Sequence, residues 1–155
     1  MTEQKENEIV EIWQPVTSLK GKHLDSLHFV EVMRHNDFFQ ITLQDLEGNL
    51  VDIIYDDPQK VCSLEYVVWS FRYGTELGAL GKHNRKMINT NNRKDENAIY
   101  FAKVLNSNYI KAFDNNPIAN QTLFPNVEHH LYATGDEILE VITNYEPRFI
   151  ERPKK

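Results

Sequence analysis

"VEHHLYATGDEILEVITNYEP" runs from Val127 to Pro147, and its reading decides the fold: two adjacent histidines and a flanking glutamate lead into an apolar run with helical spacing. The first half is read from alternation. In a strand Val127, His129, Leu131 and Ala133 face one way, and Glu128, His130 and Tyr132 face the other. The two adjacent histidines then stand on opposite sides of a sheet and cannot share a metal ion. Glu128 with His130 is the remaining pair of donors on one face, and the chain offers no second pair at ligand spacing to complete a site. A histidine at a strand end is the expected reading, with no metal and no other cofactor.

"TGDE", Thr134 to Glu137, reads as a capping box. Thr134 would accept from the backbone N–H of Glu137, and the Glu137 side chain would reach back to the N–H of Thr134. Asp136 and Glu137 suit the positive end of a helix dipole. Ile138, Val141, Ile142 and Tyr145 follow at i, i+3, i+4 and i+7, the spacing of one helical face, and Pro147 stops the run. The spacing predicts a strand, a capped turn and an amphipathic C-terminal helix.

Upstream, three runs read as a β-meander. "LHFVEVM" (Leu27 to Met33) comes first. "FFQITLQDL" puts Phe39, Ile41 and Leu43 on one face and Gln40, Thr42 and Gln44 on the other, and "LVDIIY" groups Val51, Ile53 and Tyr55. "EGN", Glu47 to Asn49, supplies the positive φ of a tight turn. "EIVEIWQPV" reads as an edge strand stopped near Pro15. "LEYVVWSFRY", Leu64 to Tyr73, is apolar on both faces, which predicts a central strand. "GTELGAL" suggests one helical turn. "AIYFAKVL", Ala98 to Leu105, is a further strand, and "NSNYIKAFDNNP" a short helix capped by Ser107. The polar segment 81–97 has no period and is expected to be a mobile loop of functional length. Residues 1–8 read as a flexible tail and 9–150 as one domain. The expected fold is α+β: an antiparallel sheet of about six or seven strands with the C-terminal helix packed on one face. The alternative is a pleckstrin-homology-like, partly open barrel closed by that helix.

A chain of 155 residues, 41% hydrophobic and 11% aromatic, fits one globular domain. Cys62 is its sole cysteine, so no intrachain disulfide forms and a reducing, cytoplasmic setting is expected. "MTEQKENEIVEIW" has no apolar core of a signal peptide, and no apolar run is long enough to span a membrane. The net charge of -6, from 17 basic and 23 acidic side chains, argues against nucleic-acid binding, which needs a positive footprint. Segment 81–97 holds five basic and two acidic residues, a local +3, so the rest of the chain carries -9. An acidic body of this kind suits a basic protein partner.

Other chemistry is sparse. "YDDP" sets Asp56 beside Asp57, with Asp52 on the preceding strand. Such carboxylates can hold a divalent cation or share a proton, and Asp before Pro more simply opens a turn. No phosphate-binding glycine loop and no G-x-S-x-G elbow is present. Cys62 reads as a buried inert thiol, and Trp69, Phe71 and Tyr73 as core rather than a stacking platform. The candidate binding residues are Asp56, Asp57, Glu128, His130 and Tyr132, and no catalytic set is assigned.

"KVLNSNYIKAF" and "HHLYATGDEILEVITNYEPRF" resemble the closing third of a loose group of small, mostly uncharacterised bacterial proteins. In that group a strand leads into V-x-N-S-x-Y-[IL], and the chain closes with an H-Y-like strand, a Thr/Asp-capped helix and an E-P pair. The matching residues are Val104, Asn106, Ser107, Tyr109, Ile110, His130, Tyr132, Thr134, Asp136, Val141, Glu146 and Pro147. They are caps and core, and imply no chemistry. Small acidic bacterial proteins of this style are similar to immunity proteins that neutralise toxins. The resemblance implies a non-enzymatic, intracellular binding protein, an immunity-type inhibitor of a basic toxin. The rival expectation is a small enzyme or ligand carrier using His130 with Glu128, or Asp56 with Asp57.

Overall fold

A computed structural model describes residues 8–13, 27–35, 38–56, 67–75, 85–88, 101–134, 137–144 and 146–154. Ten strands and one short helix occur among them. The strands are β1 (Glu8–Ile12), β2 (Leu27–Arg34), β3 (Phe39–Asp45), β4 (Leu50–Tyr55), β5 (Ser70–Thr75), β6 (Arg85–Ile88), β7 (Phe101–Leu105), β8 (Glu128–Ala133), β9 (Glu137–Thr143) and β10 (Arg148–Arg152). The helix is α1 (Asn108–Lys111). One sheet has the order β5-β9-β8-β7-β1-β6 and the other β10-β4-β3-β2. All pairings are antiparallel except that of β6, which joins β1 in parallel.

The two sheets face each other across one core. Phe39, Ile41 and Leu43 of β3 and Val51, Ile53 and Tyr55 of β4 meet Phe101, Tyr132, Leu139 and Val141 of the larger sheet. Each buried side chain of this size contributes roughly 1.5–3 kcal/mol by leaving water. The meander β2–β3–β4 is present as its alternation predicts. At its β3–β4 turn Gly48 has φ +90, and an added Cβ would stand 2.8 Å from the Lys154 side chain. Asp45 holds this turn by accepting from the N–H groups of Glu47 (3.0 Å) and Asn49 (2.9 Å).

The C-terminal helix does not exist, and with it fall the α+β class, the single covered sheet and the helix-closed barrel. Residues 137–143 form β9, inside the larger sheet between the edge strand β5 and β8. Leu139, Val141 and Thr143 turn toward the core, and Ile138, Glu140 and Ile142 turn away. Both faces are covered, so both carry apolar residues, and that pattern satisfies helical spacing equally well. Ile138, Val141, Ile142 and Thr143 are β-branched, which favours the strand. The bond expected of the capping box is present: the N–H of Glu137 donates to Thr134 Oγ1 at 3.0 Å. It closes a β-hairpin instead of starting a helix, because the N–H of Thr134 donates to the backbone oxygen of Glu137 at 2.8 Å. The Glu137 side chain accepts from the Tyr73 hydroxyl at 2.6 Å rather than reaching back.

Three other readings change. β1 lies inside the sheet, between β7 and β6, rather than at its edge. β5 begins only at Ser70 and is an edge strand. Its stretch looked central because Trp69 packs against Phe113 and Phe124 from the chain that follows α1. Within segment 81–97, Arg85–Ile88 is strand β6. Gly74 and Thr75, the start of the helical turn expected over 74–80, belong to β5, and Glu8, the last residue of the expected tail, begins β1. The remainder of segment 81–97, Cys62, Leu64, Tyr66 and residues 1–7 and 76–80 lie outside the described residues. α1 is short and capped as expected, with Ser107 Oγ accepting from the N–H of Ile110 at 3.1 Å. Among the described residues no helix is long and apolar enough to cross a membrane.

Candidate functional site

β8 carries polar side chains on both faces, and the strand alternation places them as the sequence predicts. On the core face His130 and Tyr132 are fully buried. The Tyr55 hydroxyl bonds both, at 2.7 Å from His130 Nδ1 and 2.5 Å from the Tyr132 hydroxyl. The neutral ring satisfies this arrangement with its proton on Nε2, because Tyr55 then donates to Nδ1 and accepts from Tyr132. His130 Nε2 finds no hydrogen-bond partner among the described residues. Glu128 Oε1 stands 3.7 Å from it, beyond hydrogen-bond range, while Glu128 Oε2 pairs with Lys103 Nζ at 2.8 Å. Lys103 also meets Glu146 at 3.1 Å and lies 4.7 Å above the Trp13 ring, which packs on His130.

On the other face His129, equally buried, is gripped at both nitrogens. Ser107 Oγ lies 2.6 Å from Nδ1, and Glu140 Oε1 lies 2.9 Å from Nε2. The second oxygen of Glu140 accepts from Arg72 Nε at 2.6 Å. The Arg72 guanidinium covers the Tyr109 ring at 4.3 Å, and the Tyr109 hydroxyl bonds Ser70. The result is a Ser107–His129–Glu140–Arg72 relay assembled from the β7–α1 junction, β8, β9 and β5. A cavity of about 180 Å³ adjoins it, lined by Ser107, His129, Ile110, Lys111 and Val127 among others.

The structure thus brings three of the five candidate residues together: His130 and Tyr132 are buried and linked through Tyr55, and Glu128, half-buried, stands 3.7 Å from His130. Asp56 belongs elsewhere: Arg148 of β10 grips it twice, at 3.0 and 2.6 Å, a structural pairing between strands. Asp57 lies outside the described residues. Asp52 is likewise engaged, by Thr42 at 2.7 Å and Arg152 at 2.8 Å. Among the described residues no group of three or more His, Cys, Asp or Glu side chains is placed to hold a metal ion. Sequence reasoning missed the Ser107 relay, because it set Glu140 on a helix and gave Ser107 only the role of a cap. Reading 137–143 as a strand would have put Glu140 on the same face as His129.

The core-face network makes the fold acid-labile. Burial holds His130 below the ordinary histidine value of 6.5, against the pull of Glu128. Glu128 is held at about 2, first by His130 and then by Lys103, although its partial burial pushes the other way. Both groups bind fewer protons folded than unfolded, so stability is retained above their unfolded values and lost as pH falls. The loss begins near 6.5 with histidine and continues from 4.5 toward about 2 with the glutamate. The urea midpoint is expected to decline as pH drops below neutral, and His130→Phe to remove the upper part of that decline. A midpoint that rises between pH 6.5 and 5.5 would contradict this.

Comparison with protein-family models, curated proteins and solved structures finds no match to this chain.

Proposed function

We propose that this chain is a binding protein that holds a basic protein partner along the open side of its sandwich, as an immunity-type inhibitor covers a toxin. The observation that carries the reading is a pair of sheet edges that have no further strand beside them among the described residues. Among the described residues β5 stands at one end of its sheet and β2 at one end of the other, and such an edge is a place where a further strand can add. Near them Phe71 of β5 packs on Phe39 of β3 at 4.7 Å between ring centroids. A cleft of about 290 Å³ lies there, lined by Arg34, Phe39, Val68, Trp69 and Phe71 among others. Val32, opposite Ile41, and Phe71 and Tyr73, opposite Val141 and Leu139, stand on the inward faces of these edges. They are nevertheless exposed, at 40%, 42% and 52%. Inward-facing apolar side chains left open along two edges suit a partner segment that covers them. The charge of -9 outside 81–97 favours a basic partner and faster encounter with it.

The test is an immobilised chain exposed to proteins of the organism that makes it, with Phe71→Asp as the comparison. The wild-type chain is expected to retain a basic protein that Phe71→Asp loses. Its association rate should fall several-fold as ionic strength rises from 0.01 to 0.15 M, where the Debye length shrinks from about 30 to about 8 Å. A partner held equally by Phe71→Asp, an acidic partner, or an association rate indifferent to salt would overturn the reading.

A further inference from the structure

We propose that Ser107 is an activated nucleophile, and that the chain hydrolyses small carboxylic esters in the cavity that Ser107 and His129 line. The inference goes beyond binding and runs against the non-enzymatic expectation drawn from the sequence. It rests on geometry. A nucleophile within 2.6 Å of a ring nitrogen, and a carboxylate 2.9 Å from the other nitrogen, are the two contacts that general-base activation of a serine requires. One tautomer serves both: with its proton on Nε2, His129 donates to Glu140 and leaves Nδ1 to accept from Ser107. Arg72, on the far oxygen of Glu140, fixes that carboxylate. Glu140 and Arg72 are positioning residues, while Ser107 and His129 are the catalytic residues.

Capping does not exclude attack. Ser107 Oγ accepts one hydrogen bond, from Ile110 N–H, and donates its own proton to His129, so one lone pair remains for an acyl carbon. A serine that served only as a cap would need neither the ring nor the carboxylate. Asn106, immediately before it, has φ 54, a left-handed conformation that asparagine tolerates, and it sets the sharp turn from β7 into α1. Its side chain accepts from Lys111 Nζ at 2.7 Å, and Lys111 lines the same cavity. Lys111 thereby brings a positive charge to the wall of the cavity, of the sign that favours a developing oxyanion.

In the first half-reaction the Ser107 Oγ–H proton passes to His129 Nδ1 as Oγ bonds the carbonyl carbon. The ester C–O bond then breaks, and the same proton leaves Nδ1 for the departing alkoxide. A water molecule repeats the sequence on the acyl-serine, which releases the carboxylic acid and restores Ser107. The cavity of about 180 Å³ slightly exceeds the roughly 150 Å³ that admits a benzene-sized group, so the acyl group is short.

Because Ser107 also caps α1, the wild-type chain decides the matter before any variant. It is treated with a fluorophosphonate and with p-nitrophenyl acetate. The expected result is one phosphonyl adduct per chain, mapped by peptide mass spectrometry to Ser107, and ester hydrolysis abolished by that labelling. His129→Gln and Glu140→Gln should each slow labelling by about tenfold or more at an unchanged folded circular dichroism spectrum. Should His129→Gln fail to fold, Glu140→Gln reads the same relay. A wild-type chain without an adduct on Ser107, or labelling rates equal in wild type and the folded variants, would overturn the proposal.

Discussion

Glu140→Ala is expected to destabilise the fold by about 3–5 kcal/mol, the usual cost of removing one partner from a buried ion pair. Glu140 is 3% exposed and engages two elements at once, His129 of β8 and Arg72 of β5. Its removal takes the carboxylate away from the Nε2 of a fully buried ring and from a guanidinium. Arg72 can turn partly to water, since its side chain is 35% exposed, so the lower end of the range applies. Glu140→Gln keeps the volume and one acceptor, and should cost less than half as much. Urea denaturation of the three proteins measures both. A Glu140→Ala midpoint within error of wild type would show that the relay does not tie β5, β9 and β8 together.

Tyr55→Phe should cost about 2–4 kcal/mol although it removes a single oxygen, because unsatisfied buried polar groups cost about 1–3 kcal/mol each. The Tyr55 hydroxyl is the junction of two buried bonds, to His130 Nδ1 and to the Tyr132 hydroxyl. His130 Nε2 already finds no partner among the described residues, so the variant leaves the ring with no hydrogen bond described at either nitrogen. Tyr132→Phe spares the bond to His130 and should cost only about 1 kcal/mol. A double-mutant cycle of Tyr55→Phe with His130→Phe should show coupling of about 0.5–3 kcal/mol, since the second change removes the stranded nitrogen. Equal costs for Tyr55→Phe and Tyr132→Phe would refute the junction role. High pH gives an independent view. Burial pushes the Tyr132 hydroxyl far above its ordinary value of 10.0, so the folded chain resists a deprotonation that the unfolded chain undergoes. Stability is therefore lost as pH rises past that ordinary value.

Several features were legible because a few neighbouring residues decide them. The alternation of β3, β4 and β8 follows from the pleat alone, and it correctly set His129 and His130 on opposite faces. The Ser107 cap and the Thr134–Glu137 bond each span three residues, so local chemistry was enough. Gly135-Asp136, two residues between runs rich in apolar side chains, was the available sign that Thr134 opened a hairpin.

By itself the sequence determined the strands whose polar and apolar residues alternate, the short helix, the tight turns and the charge of the surface. Tertiary structure alone decided β9, the division into two sheets and both polar networks. Ile138, Val141 and Ile142 satisfy a helical stripe and a two-sided strand alike, and only the neighbours β5 and β8, with cover on both faces, select the strand. Likewise Tyr55 meets His130 across 75 residues and Arg72 meets Glu140 across 68. Those pairings depend on which strands lie side by side, and that choice is made by burial summed over the whole chain, which no local window contains.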